Sequence, residues 1–411
     1  MPRLCAVVLF ALLLSTTVAG ASVTISILDV GQGDATLVES SSGMTLLFDG
    51  GPTDAGVEVI LPYLTSRGIT SLDYLVASHY HADHIGGLDE VYNRTGATHG
   101  VWDRGWTYTT ATYNSYANAV ADDRHTIDDT MVFDLGDGVT VTCLTVNGNG
   151  QLSSPFTSST KENEYCVTLL VECGDFDYFQ AGDLIGTDEG SHEDIETSVA
   201  QDLTAMEKAD LEVYKVNHHG SYTSSNAYFL NATTPEVAVI SVGATNSYGH
   251  PHQEPMQRLQ ARDVFVYQTT SGNGHVLPPA DQKVVGGHVI IETTGQNTYT
   301  VDGDTWEMDE QGETPVGDLV PTFALLGNYP NPFNPTTVVS FRSEYGGQGL
   351  FEVFDLTGRR QLKQSINASA GIHQVPWNGR SDREQTLPAG VYLYRVTLPE
   401  GRATGRMVMA K

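Results

Sequence analysis

A short cluster of metal-binding side chains constrains this chain more than any other feature of its sequence. The strand-like segment Tyr74–Ala77 is followed by His79, His81, Asp83 and His84. Imidazole nitrogen and carboxylate oxygen are ligands that Zn²⁺ prefers in proteins. Because alternate side chains of an extended segment point to opposite sides, one short segment can serve two ions. We therefore expect His79 and His81 to face one divalent metal ion, and Asp83 and His84 to face a second one.

The segments around this cluster alternate between strand-like and helix-like patterns. Val23–Leu28 alternates with period 2, whereas Val57–Tyr63 has the apolar spacing of an amphipathic helix. Later apolar segments such as Leu211–Val216 alternate with polar helical stretches. The pattern predicts an α/β domain with two sheets, each covered by helices.

The cluster resembles the HxHxDH signature of the metallo-β-lactamase superfamily, and further blocks narrow the resemblance. Over Val23–Asp304 the order of blocks is similar to that of the hydrolase domain of ComEC-type competence proteins. The resemblance implies an αββα metallo-β-lactamase sandwich over residues 22–304 that uses two divalent metal ions, Zn²⁺ or alternatively Mn²⁺. The blocks that carry it are Leu28–Ala35, Asp49–Gly51, Gln180–Leu184, Lys215–Ser221 and Gly249–Pro251.

The resemblance also implies roles for residues outside the cluster. Asp183 matches the carboxylate that bridges both ions, and His219 matches the last ligand of the second site. His218 is expected to face the substrate or to hydrogen-bond a ligand, and the roles of His218 and His219 could be exchanged. Asp49 matches a carboxylate that orients the ligand loop. The weaker site candidates are Asp29, Asp34 and His250.

One departure from the superfamily concerns the first metal site. The superfamily supplies a further His between Asp83 and Asp183, whereas the corresponding segment Asn163–Val167 contains none. Asn163, Cys166 or a water molecule could complete this site, which would then bind its ion more weakly or favour a harder ion such as Mn²⁺. Cys166 could equally be an inert core thiol.

The expected chemistry is metal-assisted hydrolysis of a phosphodiester or another phosphoester. Two ions polarise a substrate oxygen and lower the pKa of the water that bridges them towards ~7, so hydroxide becomes available at neutral pH. Asp83 would orient this hydroxide, while His218 and His250 would stabilise negative charge or protonate the leaving group. The alternatives are a lactone or β-lactam hydrolase, and a surface binding protein with a degenerate, inactive metal site.

The net charge of the chain restricts the classes of substrate further. The chain has 50 acidic and 21 basic residues, and 10 of the basic but only 6 of the acidic ones lie from Pro321 onward. The preceding part therefore has a net charge of −33. Tight binding of duplex DNA requires clustered Lys and Arg, so we expect a small-molecule or polymer phosphoester and consider long duplex DNA unfavoured.

An aromatic stretch lies between the His cluster and Asp183. It could form a lid over the substrate, or it could pack an irregular insertion onto the core. Its members are Trp102, Trp106, Tyr108, Tyr113 and Tyr116.

The first 21 residues are predicted to be a signal peptide. Arg3 precedes the uncharged run Leu4–Leu14, and small residues end at the expected cleavage site after Ala21. A membrane anchor is the alternative, but this run is shorter than the ~20 residues that span a bilayer. We expect an exported protein whose mature chain has no transmembrane segment.

The last part of the chain differs from the rest in composition. Residues 305–321 are predicted to be an acidic linker, and residues 322–411 show the short alternating strands of a small immunoglobulin-like β-sandwich. Blocks such as Asp355–Gly358, Trp377–Gly379 and Met407–Lys411 resemble the type IX secretion sorting domain. This resemblance implies the type IX secretion machinery as a partner, and secretion or attachment at the cell surface; an adhesive module is the alternative.

Overall fold

The computed structural model describes residues 21–149, 161–308, 323–343, 347–355, 359–369, 371–383, 385–398 and 401–410. The predicted signal peptide up to residue 20, and residues 309–321 of the predicted linker, lie outside these ranges. Within them, no helix has both the length and the apolarity needed to cross a membrane.

The first sheet is mixed and has nine strands. Its strands are β1 (Val23–Ile27), β2 (Thr36–Ser40), β3 (Thr45–Phe48), β4 (Tyr74–Val76), β5 (Val101–Asp103), β6 (Arg124–Thr126), β15 (Val289–Gln296), β16 (Thr298–Val301) and β17 (Asp304–Glu307). Their spatial order is β17-β16-β15-β1-β2-β3-β4-β5-β6. The strands from β3 to β6 pair in parallel, so their carboxyl ends share one edge.

The second sheet has eight strands and is also mixed, with antiparallel pairs at one end and parallel pairs at the other. Its strands are β7 (Val132–Asp134), β8 (Val139–Thr145), β9 (Thr168–Cys173), β10 (Phe176–Gln180), β11 (Val213–Lys215), β12 (Val237–Ile240), β13 (Phe265–Gln268) and β14 (Gln282–Val284). Their spatial order is β14-β13-β12-β11-β10-β9-β8-β7. The strands from β10 to β14 are parallel.

Side-chain alternation separates a core between the sheets from two outer cores. Val23, Ile25 and Ile27 of β1 enter the core between the sheets, whereas the hydroxyl of Ser26 bonds that of Tyr63 on the opposite face. Helices cover both outer faces, α1 to α4 on the first sheet and α5 to α7 on the second. They are α1 (Leu61–Ser66), α2 (Ala82–Ile85), α3 (Leu88–Thr95), α4 (Ala111–Ala119), α5 (Glu196–Ala205), α6 (Ala227–Thr233) and α7 (Gln253–Gln260). The predicted αββα sandwich is confirmed.

The C-terminal region is an all-β sandwich, as predicted. Its three-stranded sheet has the order β18-β19-β22, and its four-stranded sheet has the order β21-β20-β23-β24. A shared core that includes Phe341, Trp377 and Tyr394 joins the two sheets. The strands are β18 (Phe323–Tyr329), β19 (Thr337–Ser343), β20 (Gly347–Asp355), β21 (Arg360–Ala368), β22 (Gly371–Trp377), β23 (Gly390–Leu398) and β24 (Gly401–Met409).

The first domain extends further than the sequence indicated. Strand β17 ends at Glu307, so the sheet includes residues 305–307 of the segment predicted as linker. Trp306 pairs with Tyr299 of β16, and the two rings stack with centroids 6.5 Å apart. The partly buried indole also packs against the core between the sheets, and this burial holds the segment in the fold.

Two buried acidic residues, Asp177 and Glu212, lie close together at the amino ends of β10 and β11. The backbone N–H of Asp177 donates to Glu212 Oε2 at 2.6 Å. Burial raises the pKa of Glu212 from 4.5 to about 8, and that of Asp177 to about 7 although Lys208 contacts it. A carboxyl group whose folded pKa exceeds its unfolded value stabilises the fold at low pH and loses this contribution as the pH rises towards the folded pKa.

Glu212→Gln is therefore expected to weaken the loss of stability between pH 5 and pH 8.5. One pKa unit corresponds to ~1.4 kcal/mol, so the variant should gain more than ~1 kcal/mol over the wild type across this range. Urea unfolding at both pH values measures the change, with the exposed Glu189→Gln as control. Parallel pH profiles for wild type and Glu212→Gln would contradict the prediction.

Candidate metal centre

Loops from both sheets meet at the edge formed by the carboxyl ends of the parallel strands, which is where α/β sheets place their ligands. The loop after β4 carries the predicted His cluster, and the loop after β11 carries two adjacent histidines. The side chains brought to this edge are Asp49 after β3, His79, His81, Asp83 and His84 after β4, Asp183 after β10, His218 and His219 after β11, and His250 after β12.

Asp49 fixes the loop that follows β4. Its Oδ1 accepts from the backbone N–H of Ser78 at 2.7 Å, and its Oδ2 accepts from the Ser78 hydroxyl at 2.7 Å. The same Oδ2 lies 2.8 Å from His84 Nδ1. Since the carboxylate accepts from Nδ1–H, the lone pair of His84 is left on Nε2, which faces the centre of the cluster.

The carboxylate of Asp183 lies between two sets of imidazoles. Its Oδ1 is 3.1 Å from His84 Nε2 and 3.4 Å from His219 Nε2. Its Oδ2 is 3.8 Å from His79 Nε2 and 3.5 Å from His218 Nε2. One carboxylate can thus contribute an oxygen to each of two neighbouring sites.

Two of the groups of potential ligand atoms share Asp183. One group contains His79, His81 and Asp183, and the other contains Asp83, His84, Asp183 and His219; within each, the ligand atoms lie within 4.8 Å of one another. His79 Nε2 is 3.0 Å from His81 Nδ1, and His219 Nε2 is 3.5 Å from Asp83 Oδ2. The structure thus brings together the residues that the sequence analysis assigned to each site, and their binding of metal stays a prediction.

The unpaired atoms of the cluster fit a divalent ion. His84 Nε2, His219 Nε2 and Asp183 Oδ1 are buried without a hydrogen-bond partner among the residues described. Ligand atoms around a four-coordinate ion at ~2.1 Å lie ~3.4 Å apart, close to the 3.1 Å and 3.4 Å from Asp183 Oδ1 to the two imidazoles. Buried polar atoms without a partner are costly, and a cation shared by these three atoms would remove that cost.

Electrostatics favours an ionised carboxylate at the centre. Burial alone would raise the pKa of Asp183, but His218, His84 and His219 hold it well below its usual range. Burial and the neighbouring His84 and His81 lower the pKa of His79 well below its usual value. His79 is therefore neutral, which is the state in which an imidazole binds metal. Although burial opposes it, the carboxylates of Asp183 and Asp49 raise the pKa of His84 well above its usual value, so a metal ion would have to displace a proton from that imidazole.

A family model described as the metallo-beta-lactamase superfamily matches residues 28–158, which include the whole loop after β4. The four layers and the shared carboxylate described above agree with this match. The chain has a metallo-β-lactamase fold.

Its curated relatives are distant and longer. ComE operon protein 3 of Bacillus subtilis (strain 168) is 27% identical over 285 residues, which cover 62% of this chain and 34% of that protein. Competence protein ComA of Neisseria gonorrhoeae is 30% identical over 247 residues, which cover 60% of this chain and 30% of that protein. The chain spans about a third of the length of these relatives. Among solved structures, a new diphosphatase from the PhnP family has a TM-score of 0.36 and 15% identity, covering 66% of this chain and 97% of that one.

The turn that carries His218 and His219 has an unusual backbone. Both residues adopt left-handed conformations, with φ values of 51° and 53°, which are uncommon for residues other than glycine. The buried Glu196 of the metallo-β-lactamase domain holds this turn, because it accepts from Asn217 Nδ2 at 2.8 Å and from the backbone N–H of Ser225 at 2.6 Å. Such strain persists where the surroundings determine the conformation, and it is often found at functional sites.

The loop between β1 and β2 packs beneath the cluster. Asp34 accepts from Lys215 Nζ at 2.8 Å, in an ion pair that is almost fully buried. The backbone N–H of Asp34 donates to Asp83 O at 3.1 Å, and a Cβ at Gly33 would lie 2.3 Å from that oxygen. Asp29 is different: its carboxylate accepts from the N–H of Gly31 within the loop and belongs to neither ligand group.

The two candidates for the missing ligand lie in different surroundings. Asn163 lines the cavity, its Nδ2 is 3.5 Å from His218 Nε2, and its Oδ1 is buried without a partner among the residues described. Cys166 is buried in the apolar core between the second sheet and its helices, and burial raises its thiol pKa well above the usual value. A protonated thiol is a poor metal ligand, so these surroundings favour the inert core thiol.

The metallo-β-lactamase domain also contains a buried ion pair that the sequence analysis missed. Arg104 donates to both carboxylate oxygens of Glu162, at 2.9 Å and 2.7 Å. Glu162 also accepts at 2.9 Å from the backbone N–H of Tyr80, the residue between His79 and His81. The ion pair therefore anchors the backbone that carries these two histidines. Arg104 lies near Trp102 and Trp106, but Glu162 lies in the polar segment Lys161–Glu164, so no local pattern marked this pair.

The residues of the aromatic stretch differ in their surroundings. Tyr113 and Tyr116 are buried in the core between the first sheet and its helices. Trp106 is 38% exposed, and the ring of Tyr108 lies 6.1 Å from that of His81. Trp102 packs against the core between the sheets. Among the residues described, none of the five aromatic side chains lines the cavity over the ligand groups.

A cavity of about 430 Å³ opens over the ligand groups. His250 lines it, and its ring stacks on Tyr248 with centroids 5.5 Å apart. Burial and the neighbouring His219 and His218 lower the pKa of His250 to about 3, so its imidazole is neutral at physiological pH. The lining residues are Gln32, His81, Ala82, Asp83, Thr110, Asn163, Asp183, His218, His219, Tyr248 and His250.

Asp49→Asn is expected to weaken metal binding at the group that contains His84. An amide in place of Oδ2 turns a donor towards His84 Nδ1, which removes the acceptor that places the lone pair on Nε2. Loss of such an orienting carboxylate costs ~10–100-fold in metal affinity. Titration of Zn²⁺ against a chromophoric chelator measures the change, with the exposed Asp122→Asn as control. Equal affinities for Asp49→Asn and wild type would contradict it.

Proposed function

We propose that this chain is an exported, metal-dependent hydrolase of phosphodiester or phosphoester bonds. The observation that carries the proposal is the shared carboxylate of Asp183, whose two oxygens face separate sets of imidazoles. A pair of ions held in this way is the arrangement that stabilises both the attacking and the leaving oxygen of a phosphoryl group.

In this proposal the two ions supply Lewis acidity and a hydroxide at neutral pH. The protein residues would hold the ions and orient the reacting groups. Asp183 bridges the two ligand groups, Asp49 orients His84, and the Asp83 carboxylate, whose side chain is 31% exposed, accepts a hydrogen bond from the attacking group. His250 lines the cavity beside His218 and His219, where a neutral imidazole can donate a hydrogen bond to a phosphoryl oxygen or to the leaving group.

The cavity favours a small phosphoester over a long polyanion. Its lining contains no Lys or Arg among the residues described. The part of the chain before Pro321 has a net charge of −33, which repels polyanions at long range. The phosphoryl group would therefore be recognised by the metal ions and imidazoles rather than by a basic surface.

Turnover of bis-p-nitrophenyl phosphate by Zn²⁺- or Mn²⁺-loaded protein tests this function. We expect hydrolysis that a chelator abolishes and that added metal restores. The double variant His81→Ala, Asp83→Ala is expected to lose both metal and turnover, and retained turnover would contradict the site. A metal-loaded wild type that hydrolyses no phosphoester would instead favour a surface binding protein, an alternative that the missing superfamily His supports.

We further propose that the C-terminal sandwich directs export by the type IX machinery. The support is the order of its sequence blocks and its separate all-β core. Deletion of residues 326–411 is expected to leave the protein in the periplasm of a host that has this machinery, since the predicted signal peptide still directs passage across the inner membrane. Fractionation with immunoblotting measures this, and unchanged delivery to the surface or medium would refute the role.

A further inference from the structure

The first ligand group has only two imidazoles, but a third lies beside it. We infer that His218 supplies this third imidazole, so that the adjacent residues His218 and His219 are both metal ligands, one for each ion. The inference rests on the proposed two-metal function and deepens it. It gives the first site a nitrogen ligand in place of the His that is missing from Asn163–Val167.

The division of contacts at Asp183 is the first support. Its Oδ1 contacts His84 Nε2 and His219 Nε2, at 3.1 Å and 3.4 Å. Its Oδ2 contacts His79 Nε2 and His218 Nε2, at 3.8 Å and 3.5 Å. The distance from His218 to its oxygen is thus close to that from His219 to the other oxygen. Both agree with the ~3.4 Å expected between ligand atoms of one four-coordinate ion.

The backbone of the turn explains how neighbouring residues reach two sites. In a strand, adjacent side chains point to opposite faces, which would send one of the two imidazoles away from the cavity. Here both residues are left-handed, and their rings are 6.5 Å apart with planes at 67°. Both line the cavity, and they contact different oxygens of Asp183. The left-handed turn that Glu196 stabilises therefore places the imidazoles of two adjacent residues beside Asp183.

The hydrogen bonds at Nδ1 are the second support. His219 Nδ1 donates to the carbonyl of Ser241 at 2.9 Å, which leaves its lone pair on Nε2. His218 can adopt the same arrangement, because its Nδ1 lies 3.0 Å from the buried hydroxyl of Thr223, which is able to accept a hydrogen bond. That hydroxyl is itself 3.0 Å from Ser221 Oγ, to which it can donate while it accepts from His218. Metal-binding histidines are commonly oriented by such a bond at the other ring nitrogen.

Metal stoichiometry and Co²⁺ absorption test the inference without reference to turnover. We expect two ions per chain in the wild type and in the control His99→Ala, whose side chain is exposed. His218→Ala and His219→Ala are each expected to bind one ion. Thr223→Val is expected to keep two sites but to bind one of them ~10-fold more weakly, within the range for lost orienting bonds.

Two ions bound to His218→Ala with wild-type affinity would overturn the inference and would place His218 among substrate-facing residues. If His218→Ala does not fold, Thr223→Val decides the question, and unchanged affinity in both of its sites is then the contradicting result. The failure of the proposed function has a different signature: wild-type protein that binds two ions yet hydrolyses no phosphoester. In that case His218→Ala would still lose one ion.

Discussion

Asp183→Ala is expected to release both metal ions and to lower phosphodiester turnover by on the order of 10³-fold or more. Among the residues described, Asp183 is the one that contacts imidazoles of both ligand groups through separate oxygens. Metal ions stabilise the transition state by several kcal/mol, and each ~1.4 kcal/mol corresponds to tenfold in rate. Metal analysis of the purified variant and steady-state hydrolysis of bis-p-nitrophenyl phosphate measure the two effects.

The matched control is Asp175→Ala, which removes an exposed carboxylate from the turn between β9 and β10, the second of which leads to Asp183. It should retain two ions and wild-type turnover. An Asp183→Ala variant that keeps both ions would show that this carboxylate does not bridge them. A variant that loses both ions but retains turnover would contradict the metal-dependent mechanism.

Arg104→Met is expected to lower the free energy of unfolding by ~3–5 kcal/mol, the cost of leaving the partner of a buried ion pair uncompensated. Arg104 and Glu162 are both almost fully buried, and the guanidinium also lies over the rings of Tyr80 and Tyr165, 4.5 Å and 4.8 Å from their centroids. Because Glu162 holds the backbone between His79 and His81, metal affinity should fall as well. Urea unfolding and Zn²⁺ titration measure these changes.

Two further variants separate the effect of burial on stability from the effect of an uncompensated charge. Arg67→Met removes a more exposed partner of Glu39 and should cost ~0–1 kcal/mol. The double variant Arg104→Met, Glu162→Gln should recover part of the lost stability, since glutamine can still accept from Tyr80 N–H without a buried charge. A loss below ~1 kcal/mol in Arg104→Met alone would contradict the account of this pair.

The sequence was sufficient to predict the layers of the fold, and the structure brings the predicted His and Asp residues close together, whereas their binding of metal stays a prediction. The alternation of Val23, Ile25 and Ile27 correctly indicated a strand with one face in the core, because side-chain direction in a strand has a fixed period. The HxHxDH cluster and the later Asp183 block indicated ligands at strand ends, and the structure brings Asp183 to that cluster. These features are local patterns or strand-end positions, and both can be read from a single chain.

Other features depend on contacts that no local pattern specifies. Glu162 lies 82 residues from Tyr80 in sequence, and Lys215 lies 181 residues from Asp34. A charged residue in an apolar segment signals a buried partner, but it does not identify that partner. The left-handed turn at His218 and His219 has the same origin, since its conformation is held by Glu196 from a distant helix. The acidic composition around Trp306 predicted a linker from residue 305, although Trp306 is partly buried against the core between the sheets.

The most direct test of the two-metal site is an anomalous difference map from crystals of Zn²⁺-loaded protein, measured on both sides of the zinc absorption edge. Two peaks are expected, one on each side of the Asp183 carboxylate, the first beside His79 and His81 and the second beside Asp83, His84 and His219. A map without a zinc peak within coordinating distance of Asp183, from protein shown to bind Zn²⁺ in solution, would contradict the metal centre on which the proposed hydrolase depends.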